Sequence, residues 1–345
     1  MKKAPTIRDV AASAGVSVSV VSRVLNSTGP VAPDTRSKVV AVIDELGFRP
    51  RAAARSLNVG AATLGLIVTD LENPFFARLA DRIVWESRAS GTQVVLMTTQ
   101  EDAQLERDIL DRLQDRSVTG IIATPTGENL DKWQRLLDLG VSVTFVDRSI
   151  PGLPIDRVRI ENVVSAQTAT EHLLALGHTS IAFISGPLTT TTGADRVSGY
   201  RRALEEHGVA YRPELVRGVR FRGDDGGDAV STLLRQDPAP TALIVANTAQ
   251  VRSALRRLSI AGIRQPDDLS VIVFDDDPWT ELVTPPLSIV RPRTDLLAVH
   301  ALELVTTRIR GMAPDDARTI SVAAEFVARA STRTLDHRPT EKDIL

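Results

Sequence analysis

Cysteine is absent from the 345 residues. That excludes disulfides and thiolate metal sites, and it fits a chain expected to work in a reducing cytoplasm. No run of about 18 apolar residues occurs, so no segment reads as a membrane-spanning helix. The start, MKKAPTIRDV, has two lysines but no apolar stretch behind them, so it does not read as a signal peptide. The five histidines (His172, His178, His207, His300 and His337) show neither HxH nor HxxxH spacing. Asp275, Asp276 and Asp277 stand in a row where strand neighbours point to opposite faces, so they cannot all ligate one metal. A Walker loop, a GxSxG elbow and a GxGxxG after a strand are missing as well. Together these absences argue against an enzyme, a cofactor and a metal.

What remains is the composition of an ordinary globular protein, 43% hydrophobic and 24% charged, long enough for two or three domains. Charge is unevenly placed. Residues 1–60 hold nine Lys/Arg against four Asp/Glu, a balance of +5, which leaves −7 for the rest of a chain of net charge −2. A basic head on an acidic body suits a nucleic-acid-binding module joined to a separate sensor.

The head reads as a pair of short helices. Thr6 can cap a helix from Ile7 to about Ala14, with Asp9 in its first turn and an apolar stripe of Ile7, Val10, Ala11 and Ala14. Gly15 ends it, and Ser17 caps the next helix within VSVSVVSRVL, residues 16–25. Val20, Val21 and Val24 are expected inward, leaving Val18, Ser19, Ser22 and Arg23 outward. Short side chains let such a helix approach a duplex closely, and Arg23 can pair a guanine edge with two hydrogen bonds. A plain αα-hairpin with a solvated face is the competing reading. A third helical run follows at 32–48, and residues 49–60 form a linker.

Beyond Ala61 the rhythm changes to strand, helix, strand, helix, the pattern of a parallel sheet covered on both faces. Strands are expected at 63–68, 94–99, 120–125 and 143–148 in a first lobe. A second lobe repeats the scheme at 181–187, near Val219–Phe221, and at 242–247 and 270–276, with a Thr-rich loop before a helix at 196–208. The body is therefore α/β, two doubly wound lobes over residues 61–333. The first lobe is expected to take about 61–162 and 289–319, the second about 163–288 and 320–333, with a strand at 321–331. The tail at 334–345 has no leucine heptads and so no tetramerising coiled coil. Ligands in such sheets bind beyond the carboxyl ends of the strands. Those ends carry Asp70 to Phe76, Thr124 to Thr126, Asp147–Arg148, Thr189 to Arg196, Phe221, Asn247–Thr248 and Asp275–Asp276. Polar groups of this kind, with Phe75 or Phe221 to cover a ring face, suit a hydroxyl-rich small molecule.

TIRDVAASAGVSVSVVSRVLN, then ELGFRP at 45–50 and AARSL at 53–57, closely resemble the LacI/GalR family of bacterial transcriptional regulators, a likeness that runs to about residue 333. The resemblance implies an all-α helix-turn-helix head over 1–48, a hinge helix over 49–60 and a two-lobed body like a periplasmic binding protein. That hinge would fold when two copies meet on DNA, with Leu57 wedged into the minor groove. It implies a homodimer on double-stranded operator DNA, switched by a small-molecule effector such as a sugar, with no membrane partner. Thr6, Ser17, Val18, Ser19, Ser22, Arg23, Asn26, Arg51, Ala54 and Leu57 are the candidate DNA contacts, and Lys2, Lys3, Arg8, Arg36, Arg49 and Arg55 are candidates for phosphates. Asn73, Arg148, Arg196, Asn247 and Asp275 match positions that contact effectors in similar regulators, and Phe75, Thr124, Thr192 and Phe221 complete the candidate cleft. Three departures, at Thr248, Val273 and Pro292, leave nucleosides and other small polar molecules open beside sugars. Ala32–Pro33 replaces the usual Ser/Thr cap of the third helix, so a weaker cap on an intact helix is expected. A transport solute-binding protein would share the two lobes, but it would carry an export signal in place of the basic head.

Overall fold

Three short helices open the chain: α1 (Ile7–Ala14), α2 (Val18–Asn26) and α3 (Pro33–Leu46). The computed structural model describes residues 7–26, 31–46, 63–115, 118–274 and 276–335. Val10, Ala11, Ala14, Val21, Val24 and Val39 form the core of the head, so each helix buries one stripe against the other two. Gly15 makes the α1–α2 turn with φ +65°, a conformation that L side chains resist. The third helix begins at Pro33, where Ala32 contributes only its carbonyl, to the N–H of Arg36. Val20, expected inward, is half-buried and lies outside the core.

The body holds two six-stranded sheets. The first contains β1 (Thr63–Val68), β2 (Gln93–Thr98), β3 (Gly120–Ala123), β4 (Ser142–Val146), β5 (Asp156–Ile160) and β11 (Thr319–Val322). Their spatial order is β11-β5-β4-β3-β1-β2, parallel throughout. The second contains β6 (Ile181–Ser185), β7 (Val216–Gly218), β8 (Ala242–Val245), β9 (Ser270–Phe274), β10 (Ser288–Arg291) and β12 (Glu325–Val327). Their order is β12-β10-β9-β8-β6-β7, parallel except for β12. Both sheets thus repeat one winding, and each reverses direction beside its first strand, where α/β sheets bind ligands.

Apolar layers cover both faces of each sheet. Leu66, Val68 and Ile122 pack on α4 (Pro74–Ser87) and α11 (Thr294–Ile309), and Ile67, Ile121 and Phe145 on α5 (Ala103–Asp115) and α6 (Leu130–Asp138). In the second lobe, α7 (Asn162–Ala175) and α8 (Thr191–Glu206) cover one face, while α9 (Asp225–Leu233) and α10 (Thr248–Ile260) cover the other. With strands buried on both faces, the apolar runs are continuous, as the sequence shows.

Four expectations need correction. β5 was not expected, because DRVRI alternates charge with apolar residues. Its Asp156 is fully buried only because Arg308 and Arg318 meet it there. β7 ends at Gly218, ahead of the expected Val219–Phe221. The Thr-rich stretch is helix from Thr191, capped by the Thr190 hydroxyl on the N–H of Gly193, so Thr192 and Arg196 lie one turn apart on α8. β10 belongs to the second sheet, so the chain returns to the first lobe after Arg291, and the run expected as one strand at 321–331 divides between lobes as β11 and β12. An unbroken apolar run carries no mark of a change of sheet.

Candidate functional site

Three crossings join the lobes, and the cleft lies where the carboxyl ends of both sheets face each other. A small cavity of ≈ 30 Å³ opens there. Asp70, Asn73 and Phe75, after β1, line it from the first lobe, together with Glu101, after β2, and Arg148, after β4. The second lobe supplies Thr192 and Arg196 from α8, Phe221 after β7 and Asn247 after β8.

The first-lobe wall is built around Asp70. Its carboxylate accepts the N–H of Asn73 at 2.8 Å, and the Asn73 amide oxygen accepts the N–H of Phe75 at 3.0 Å, capping α4. Asn73 therefore shapes the turn before Pro74 and also faces the cleft. Arg148 is buried, with its two terminal nitrogens on the Glu101 carboxylate at 2.7 and 2.8 Å. Burial disfavours its charge, but Glu101, with Asp147 and Asp70 beyond, more than compensates and holds the guanidinium above its ordinary range. Arg148 Nε is buried with no hydrogen-bond partner. The same guanidinium crosses the cleft to lie 4.2 Å from the centroid of the Phe221 ring. Glu101 and Asp147 have φ of 61° and 67°, left-handed values that cost a non-glycine residue energy. Such strain persists where neighbours over-determine the backbone, and functional sites concentrate it.

On the second-lobe wall, Arg196 is a tie. Its Nε donates to Asn162 Oδ1 at 2.7 Å, its Nη1 donates to the Ala246 carbonyl, and its guanidinium lies 4.6 Å from the Phe274 ring centroid. One side chain so joins α7, α8 and the ends of β8 and β9. Asn247 caps α10 through the N–H of Ala249 at 2.7 Å. Thr192 is buried against the cavity. Phe221 rests on Gly186, where a Cβ would fall 2.2 Å from the ring.

Seven of the nine effector candidates thus line one cavity. Thr124 does not: its hydroxyl is fully buried and donates to the Val146 carbonyl at 3.1 Å. Asp275 lies outside the described residues. Sequence reasoning missed Thr69 and Glu101. The strand-end rule, applied to β2 as to its neighbours, points to Gln100 and Glu101. Thr69 follows β1 directly, one place ahead of the run from Asp70 to Phe76.

The head exposes a second surface. Val18 is 42% exposed on α2 and Ser19 stands beside it, with its hydroxyl 2.8 Å from that of Ser17. Ser22 and Arg23 are half-buried, and Arg23 Nε donates back to the Ser19 carbonyl at 3.3 Å. Arg23, expected outward, lies back along its own helix. Thr6, Arg51, Ala54 and Leu57 lie outside the described residues, as do the side chains of Arg8 and Asn26. Among the described residues, no helix is long and apolar enough to cross a membrane.

A basic three-helix head and a cleft between two ligand-binding lobes define a DNA-binding regulator with a metabolite-binding domain. Residues 6–51 match the model for bacterial regulatory proteins of the lacI family, and residues 170–332 match that for a periplasmic binding protein-like domain. The chain is 36% identical over 290 residues to the HTH-type transcriptional regulator DegA of Bacillus subtilis strain 168, covering 83% of this chain and 86% of DegA. A complex of the transcriptional regulator CelR with cellobiose superposes with a TM-score of 0.73 at 30% identity, over 95% of this chain and 99% of CelR. The lac repressor dimer, bound to operator and the anti-inducer ONPF, superposes with a TM-score of 0.71 at 25% identity, over 96% of this chain and 100% of that one. The chain belongs to the LacI family of bacterial transcriptional regulators. Its relatives are regulators and not enzymes.

Proposed function

We propose that this protein is a repressor that binds a pseudo-palindromic operator as a homodimer and is released or recruited by a small polar effector in the cleft. One observation carries the reading: a cavity fed by strand ends of both lobes, on a chain whose head presents Val18 and Ser19 on an exposed helix. Ser17, Val18, Ser19, Ser22, Arg23 and Asn26 read the major groove, with Thr6 at the backbone. Arg51, Ala54 and Leu57 act in the hinge at the minor groove between half-sites. Asn73, Phe75, Arg148, Thr192, Arg196, Phe221, Asn247 and Asp275 hold the effector. The carboxylates on the wall favour a donor-rich ligand such as a sugar or related polyol, and CelR, with cellobiose bound, offers the parallel. Large apolar side chains stand exposed on both lobes, among them Trp85 and Leu282, and a second copy would cover them. Working on DNA places the protein in the cytoplasm.

The lobes move the hinge, so effector and operator must influence each other's affinity by the same factor. Selection of the full-length protein against random duplexes, followed by anisotropy titration with a panel of sugars, tests this. A two-fold-symmetric site whose affinity shifts with one sugar is expected. Enrichment of a lone half-site, or indifference to every small molecule, would overturn it. Arg23→Ala should cost about 1–3 kcal/mol at one base pair. An equal loss on all sequences would remove Arg23 from base readout.

A further inference from the structure

Gln250, in the first turn of α10, is a polar side chain with no exposure to water. Its amide is used at both ends. The nitrogen donates to the Arg220 carbonyl at 2.5 Å, and the oxygen accepts the N–H of Gly226 at 2.7 Å. One side chain therefore closes the 219–224 loop, which runs from β7 to α9. The approach depends on glycine: a Cβ on Gly226 would stand 2.5 Å from the Gln250 carbonyl oxygen and 2.6 Å from Ser253 Oγ. The loop's first residue hangs from β6, through the N–H of Val219 on the Ser185 carbonyl at 2.9 Å. Arg220 and Asp225 pair across the loop as well, but the Arg220 side chain is 77% exposed, so that pair holds little. This loop carries the second lobe's reach to the first. The Arg148 guanidinium lies 4.2 Å from the Phe221 ring centroid, and Arg222 Nη1 donates to the Gln100 carbonyl at 3.4 Å. Phe221 is also a wall shared by the inner cavity and the wider space outside it.

We infer that Gln250 is a positioning residue of the cleft: its amide clamps the 219–224 loop so that Phe221 and Arg222 meet the first lobe. The role rests on the effector reading above only in taking Phe221 as a cleft wall. The two partners, one a carbonyl and one an N–H, demand a side chain that donates and accepts side by side. Methionine has a similar volume and can do neither, and asparagine falls one methylene short of spanning both. Without the amide, the buried N–H of Gly226 loses this acceptor and the Arg220 carbonyl loses this donor. Leaving such groups unsatisfied costs more than the bonds were worth. The loop satisfies them again by moving out to water, and Phe221 moves with it.

The test compares full-length Gln250→Met with the wild type by hydrogen exchange, with no small molecule added, so its failure leaves the effector reading intact. Exchange at 219–226 should quicken about tenfold, the scale set by losing two hydrogen bonds. The first-lobe segments 99–102 and 147–149 should quicken by a smaller factor, while β8 and β9 keep wild-type protection. Phe221→Leu combined with Arg222→Ala should quicken the same first-lobe segments. Adding Gln250→Met to that pair should quicken them no further, because Gln250 acts on them through the loop. Gln250→Asn, which keeps an amide in place, should give the same pattern more mildly, and it serves if Gln250→Met does not fold. The melting temperature of each variant reports folding. Unchanged exchange at 219–226, or acceleration spread equally over β8 and β9, overturns the positioning role. So does a first lobe that keeps its protection, or an effect that adds in full to that of the Phe221 and Arg222 pair.

Discussion

The two walls of the cleft are made by the same winding, yet they carry different chemistry. The first lobe presents carboxylates, Asp70, Glu101 and Asp147, around a single buried arginine. The second presents a hydroxyl, an amide and an arginine spent on carbonyl and amide oxygens, Thr192, Asn247 and Arg196. The contrast extends beneath the walls. The first lobe is stapled by a buried charge, Asp156, which accepts hydrogen bonds from Arg308, Arg318 and a backbone N–H. The second is stapled by close backbone approach, with Gly199 of α8 set against the Val163 carbonyl of α7, and by neutral bonds such as that from the Tyr200 hydroxyl to the Ile181 carbonyl. The buried ionic staple at Asp156 and the uncharged α7–α8 contact at Gly199 should therefore fail differently.

The largest effect is expected in the first lobe. Asp156→Ala strands two half-buried arginines and should cost about 3–5 kcal/mol in chemical denaturation. A loss below about 1 kcal/mol would end the ionic account of this lobe. Burial pushes the Asp156 carboxyl up, but the hydrogen bonds from Arg308 and Arg318 outweigh that and hold it below the ordinary carboxylate range. Its stabilisation is therefore full at neutral pH, and it falls as acid protonates the group below that range. Acid titration should unfold the wild type over a window that Asp156→Ala lacks.

Next comes the second lobe. A Cβ on Gly199 would stand 2.0 Å from the Val163 carbonyl oxygen, so Gly199→Ala must push α7 from α8, at about 2–3 kcal/mol. Since no ion is involved, the loss should be the same at pH 5 and pH 8. A pH-dependent loss would blur the contrast between the lobes.

Phe221→Leu removes the ring that faces Arg148 across the cleft and should cost about 0.5–2 kcal/mol, read as easier lobe separation in hydrogen exchange. Unchanged protection of the cleft strands would show that the contact does not hold the lobes together. The smallest effect separates two threonines on opposite sides of the site boundary. Thr124→Val loses one buried bond, about 1 kcal/mol of stability, and should keep the effector response. Thr192→Val should keep most stability and lose the response. The reverse pattern would move the boundary of the cleft.

Much of this was legible in the residues. The helix pair around Gly15 and the alternating apolar runs of the body follow from local periodicity, because each element buries one face or both by itself. Strand ends named ten of the twelve cavity residues for the same reason: a doubly wound sheet has one end where loops converge. Long-range pairing was not legible. DRVRI becomes a central strand only when Arg308, over a hundred residues later, neutralises Asp156. Arg196 looked like a ligand contact from its position, but it is also a structural tie, because Asn162 and Ala246 reach it from other elements. The place where the chain recrosses, after Arg291 and again between Val322 and Glu325, is written in no local pattern. Sequence alone determined the family, the head and the winding of each lobe, since these depend on which side chains avoid water along a single element. Only the tertiary structure decided which charges are already spent inside the cleft and which remain at its mouth, since pairing depends on distance between residues far apart in the chain.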